Sequence, residues 1–303
     1  MEILTSLFTI LAVVLAGIAS RLAGIFEAQH ARTLSSFVYY FGLPALFFGK
    51  IAGLDIYALE GQVVAAILFP TLFVLGLLLV IRLIGLVSRD QFVMLGASVS
   101  FGSYAFFGVA FFETFRNGRW LEISILAASL LGVIGIVTTI LLLEYATQQA
   151  QGLGYLTKIF TNPLILGVAF GLVFSLLRIQ IPFLEHALNL IGQTASGLAI
   201  FVLGMFIYDH FSWANIRSAA GYSMFRILAL PLSALLAVHL FLPGIQGLSQ
   251  FLLLEHGMPA AIALEVFAER YQYKVGETAG VVTMTSLLNF PVLTALFYIS
   301  RLL

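Results

Sequence analysis

Glu255, His256 and Glu265 lie in the stretch LLLEHGMPAAIALEVFAERYQY, Leu252 to Tyr273, where almost every other residue up to Phe267 is apolar. A carboxylate inside a bilayer is costly, so it faces a cavity, pairs, or takes up a proton. Glu265 is therefore a candidate carrier of a coupling proton. Its other readings are contact with water near the inner end of the helix, or an ion pair with Arg270 or Lys274. Glu255 and His256 could bind a cation or relay protons, unless Glu255 sits near the outer surface. Between the two carboxylates run Gly257, Met258 and Pro259. Proline has no amide hydrogen and disfavours helical geometry at the residue before it, and glycine adds backbone freedom. A helix restarting near Ala260 presents free amides and a positive dipole end, which attract an anion. The opposing carbonyl end attracts a cation, so Met258, Pro259 and Ala260 join the candidate site and a sodium ion is a candidate ligand near the break. A simple proline kink is the alternative.

A second stretch has matching features. SVSFGSYAFFGVAFF, from Ser98, carries Ser100, Ser103 and Tyr104 with two glycines at comparable depth. Their hydroxyls are candidate ligands, or they bond their own backbone or a neighbouring helix. Asn189 and Gln193 lie one helical turn apart, and Gln193 is a further candidate, with helix-to-helix packing the alternative. His186 and His239 read as structural or interfacial. HExxH, P-loop and GxSxG motifs and zinc-like histidine pairs are absent, and the chain has no cysteine, so the sequence reads as no enzyme and no cofactor is expected.

The elements that must hold these residues are membrane helices. The chain is 61% hydrophobic and 9% charged, with mean hydropathy +1.07, well outside the range of a soluble domain. Its zero net charge suggests no nucleic-acid partner. Crossing a bilayer takes roughly 20 largely apolar residues. Suitable runs occur at Ile3–Ser20, Thr33–Gly49, Gly61–Ile81, Gln91–Phe112, Ile123–Leu143, Ile159–Leu177, Ala187–Tyr208 and Thr278–Ser300. Another, Ile227–Leu254, is split by LPGIQG into an eighth helix and a ninth that carries the carboxylates, giving ten. The acidic start of the chain favours a retained first span over a signal peptide. With the N-terminus outside, nine basic residues, Arg226 among them, fall at cytoplasmic ends and five at outer ends, which favours both termini outside.

The connection at 148–158 divides the chain into two halves, 1–147 and 159–303, of five helices each. An odd number per half makes the second enter with opposite orientation, the condition for an inverted repeat. The breaks in helices 4 and 9 then fall at equivalent places. The expected fold is an all-α integral membrane protein of ten transmembrane helices in two inverted five-helix repeats.

Several segments, in order, resemble the auxin efflux carrier family of membrane transport proteins. LSSFVYYFGLPALFF is similar to its second span, TNPLILGVAFGLVFSLLRIQIP to its sixth, GLAIFVLGMFI to its seventh, FRILALPLSALL to its eighth and GMPAAIALEVFAERYQY to its ninth. The resemblance implies the fold of bile-acid symporters and sodium/proton antiporters, in which broken helices 4 and 9 cross at mid-membrane. It assigns the first, second and fifth helices of each repeat largely to a scaffold and the third and fourth to a moving core, with the place of the second varying. It also implies small carboxylate substrates of the malonate, malate or auxin kind. With no nucleotide-binding motif in the sequence, the energy is expected from a gradient of protons, sodium or the substrate itself. A plasma-membrane location (the inner membrane in a bacterium) and a homodimer through the scaffold helices are further expectations. Ser103 and Ala263 stand where the family has asparagines and Ala110 where it has proline, which puts in question the substrate and the sharpness of the break in helix 4. The expected function is secondary transport of small organic anions by alternating access. A cation/proton antiporter and a non-transporting sensor are the rivals.

Overall fold

A computed structural model describes residues 2–53, 60–147, 161–242 and 246–301, and their regular elements are helical. In chain order they are α1 (Glu2–Leu22), α2 (Ala28–Phe37), a π turn (Val38–Gly42), α3 (Leu43–Ala52), α4 (Gly61–Leu83) and α5 (Arg89–Ser100). A second π turn (Tyr104–Gly108) leads into α6 (Val109–Thr114), followed by α7 (Leu121–Thr147), α8 (Pro163–Leu176), α9 (Pro182–Gly192) and α10 (Ala195–His210). The chain finishes with α11 (Trp213–Phe241), α12 (Gln246–His256), α13 (Ala263–Tyr271) and α14 (Val275–Ile299).

Among the described residues, seven helical stretches are long and apolar enough to cross a membrane. α8 is a shorter apolar helix. The seventh expected span begins at Pro182 rather than Ala187 and is interrupted at Gln193–Thr194. There the Thr194 hydroxyl donates to the Ile191 carbonyl at 2.7 Å, so a side chain competes with the backbone ladder. The first π turn runs into Leu43 and Pro44 at the start of α3, where a missing amide and a crowded ring favour a widened turn.

The chain divides into two units, each drawing on both halves of the sequence. The first comprises residues 1–59, 105–129 and 156–209. In it, Arg21 donates to Asp209 Oδ1 from Nε at 2.9 Å and from Nη2 at 2.5 Å. Asn162 donates to the Tyr39 hydroxyl at 2.7 Å while its carbonyl oxygen caps α8 at the Leu164 amide. Phe111 stacks on Phe115, whose ring centroid lies 5.6 Å from that of Trp120.

The second unit comprises residues 60–104, 130–155 and 210–303, and so holds α4, α5, most of α7 and α11 through α14. Val74, Leu78, Val99 and Leu230 form one buried cluster in it. α14 packs closely on α11, because a Cβ at Gly280 would come within 2.2 Å of the Asn215 carbonyl oxygen. α14 and residues 130–147 group in this unit with α4, α5 and α11 through α13. The Tyr273 hydroxyl ties the turn before α14 to the start of α5 by donating to Asp90 at 2.9 Å. Burial first, and that hydrogen bond second, hold this phenol above its ordinary range. The 148–158 connection lies outside the described residues.

Candidate functional site

The site is built where two helices stop in the second unit. α5 ends at Ser100, and Phe101 is extended (φ −113°, ψ 92°). Glycine is required next, since a Cβ on Gly102 would lie 2.4 Å from Tyr104 Cζ and 2.5 Å from Arg226 Nη2. The break therefore forms without the family's proline, its place at Ala110 being helical within α6. α12 ends at His256, and the chain is non-helical until α13 begins at Ala263. The two unwound segments pair antiparallel at Gly102 and Ala260. The Ser103 amide donates to the Pro259 carbonyl at 2.8 Å and the Ala261 amide to the Phe101 carbonyl at 3.0 Å. Each break thus satisfies backbone groups of the other, as non-helical backbone away from water requires. α14 supplies two more partners. Thr285 Oγ1 accepts from the Ala260 amide at 3.0 Å, and Asn289 Nδ2 donates to the Gly257 carbonyl at 3.0 Å.

Arg226, from α11, is buried at the centre of this arrangement. Its Nη1 donates to the carbonyls of Ser98 and, at 3.1 Å, Val99. Nε and Nη2 donate to the Met258 carbonyl at 3.3 and 3.0 Å, and Nη2 also to Pro259 at 3.2 Å. Its charged group lies 6.0 Å from the centre of the Tyr104 ring. Among the described residues no carboxylate comes within ion-pair distance of it. A desolvated guanidinium is tolerated only when its donors are satisfied, and here backbone oxygens satisfy them.

The expected site residues divide accordingly. Glu255 is wholly buried, and among the described residues neither of its oxygens has a hydrogen-bond partner. His256 holds the Ile67 carbonyl through Nε2 at 3.1 Å, and its Nδ1 has no hydrogen-bond partner among the described residues. Its ring lies 6.2 Å from that of Tyr104, whose buried hydroxyl, like Thr71 Oγ1, makes no hydrogen bond among the described residues. Met258 and Pro259 contribute carbonyls, but these already face Arg226, and the Ala260 amide expected to meet an anion is taken by Thr285. Ser103 enters through its amide. The Ser100 hydroxyl lies 3.4 Å from both the Thr139 hydroxyl and the Ala97 carbonyl.

Glu265 is also buried, and its Oε1 lies 2.9 Å from His210 Nε2. Lys274, offered as a partner for Glu265, instead pairs with Glu277 at 3.2 Å and Asp90 at 3.8 Å. The Arg270 side chain is outside the described atoms. Gln193 belongs to the first unit and is exposed at the end of α9, with Asn189 exposed beside it.

Sequence reasoning missed Arg226, Thr285, Asn289 and His210. The charge-free run that starts at Ile227 places Arg226 at a cytoplasmic end; α11 begins at Trp213, so Arg226 is interior to it. Removing it leaves eight basic residues against five. The signal was available: AAGYSMF before Arg226 is small and apolar enough to belong to the span.

No curated protein matches the chain. The description of the membrane transport protein family, to which the auxin efflux carriers belong, matches residues 2–298. With its apolar helices and that match over nearly its whole length, the chain belongs to the membrane transport protein family and is a multi-pass membrane protein.

Proposed function

We propose that this protein is a secondary transporter of small organic anions that works by alternating access around the paired breaks. The reading takes seven long apolar helices, α8, and the two broken spans α5–α6 and α12–α13 as ten crossings, and arranges them as two inverted five-helix repeats. The observation that carries the reading is the antiparallel pairing of the breaks beside Arg226, a buried positive charge without a carboxylate partner among the described residues. A fixed charge of that sign favours an anion nearby. Glu255, Tyr104, Thr71 and His256 supply buried polar atoms whose hydrogen-bonding capacity is unused. Free energy comes from a gradient, and Glu255 and Glu265 are buried carboxylates able to carry a coupling proton.

The test is thermal stabilisation of the purified protein by a panel of small carboxylates, amino acids and sodium, each at two pH values. A ligand that binds only the folded state raises its stability with saturation. Stabilisation by a carboxylate is expected. A response to pH or sodium alone transfers the reading to a cation/proton antiporter built on the two glutamates, and no response at all to a sensor.

A further inference from the structure

Arg226 has a consequence for the ion at the crossover. The last carbonyls of a helix lack intrahelical partners and carry the negative end of its dipole. Where broken spans meet in membrane transporters, such carbonyls and unwound backbone commonly coordinate a cation. Here four of them, from Ser98 and Val99 at the end of α5 and from Met258 and Pro259 beyond α12, converge on a single guanidinium. Arginine has five N–H donors in a planar fork and cannot be deprotonated in a protein. Every nitrogen of that fork faces a backbone oxygen.

We propose that Arg226 is the resident cation of the crossover: its guanidinium occupies the place where a monovalent ion would bind between the two broken helices, so the protein takes no sodium there. Arg226 is a positioning residue. It neutralises two carbonyl ends that would otherwise repel each other and thereby holds the breaks in register. The consequence for transport rests on the crossover reading above and leaves the proton at the buried glutamates as the coupling ion. The occupancy itself does not depend on any substrate.

The inference is tested on purified full-length protein by thermal unfolding in sodium, potassium or choline chloride at equal ionic strength and fixed pH, with and without millimolar guanidinium. Wild type is expected to unfold at the same temperature in all three salts. Arg226→Ala is expected to lose on the order of 5–10 °C and to recover part of it, with saturation, in guanidinium or sodium but not in choline. Arg226→Lys keeps a charge on the chain and is expected to lose less and to ignore sodium. Saturable stabilisation of wild type by sodium overturns the proposal. So does an Arg226→Ala protein that is as stable as wild type, or one that is weakened but indifferent to every cation, since simple packing would explain the latter. If Arg226→Ala cannot be purified, the responses of wild type and Arg226→Lys to sodium decide. Absence of carboxylate binding would overturn the proposed transport of anions without touching any of these outcomes.

Discussion

Glu265 and Thr285 separate two kinds of polar residue in this protein. Thr285 satisfies backbone: it accepts from the Ala260 amide and donates to the Val281 carbonyl at 2.7 Å. Thr285→Val keeps the shape but strands a buried amide, at a cost of about 1–3 kcal/mol. It is expected to lower the unfolding temperature, while Thr285→Ser remains close to wild type. The Glu265 carboxylate meets His210 Nε2 at 2.9 Å. If Glu265 carries the coupling proton, Glu265→Gln folds normally and its flux in proteoliposomes loses its dependence on an imposed pH gradient. An unchanged dependence assigns the proton elsewhere, with Glu255 next to be tested. The sequence marked both glutamates because a carboxylate is conspicuous in an apolar run. It did not mark Thr285 or Asn289, since hydroxyls and amides are common in membrane helices and only the placement of the breaks gives these two a task.

At the scale of elements, the two breaks have different causes. In the second, Pro259 cannot donate and restricts Met258, so the helix stops for local reasons that the sequence displays. In the first there is no proline; the break is set by close approach, with Gly102 pressed against Tyr104 and Arg226. Such a contact is tertiary and was not legible, which is why Ala110 left the sharpness of this break open. Gly102→Val is accordingly expected to destabilise the fold by at least about 1–3 kcal/mol, because both neighbouring side chains are buried and have nowhere to retreat. Pro259→Ala is different. The Pro259 and Met258 carbonyls remain available to Ser103 and Arg226, so most of the arrangement survives. The expected result is a larger loss of ligand-induced stabilisation than of intrinsic stability, measured on the same sample. Equal losses of both would reduce the proline to a structural kink.

For the whole molecule, apolar run length located the long helices to within a few residues at most ends, because hydrocarbon thickness and helix rise leave little freedom. The grouping of those helices into units could not be read the same way. α14 sides with α11 through Gly280 and Asn215, a fit between surfaces that periodicity does not encode. Orientation is the least constrained property, since it rests on a charge count from which Arg226 has now been removed. It is also directly measurable, because the chain contains no cysteine and a single introduced thiol has no background. Ala28 at the start of α2 and Arg119 before α7 are exposed and lie in connections that an outside N-terminus would place on opposite faces of the membrane. Arg119→Cys is expected to react with a membrane-impermeant maleimide on intact cells, and Ala28→Cys only after the cells are opened. The reverse pattern would invert the whole topology and place the carbonyl ends of α5 and α12 toward the opposite compartments, while leaving the crossover and the charge that Arg226 supplies to it unchanged.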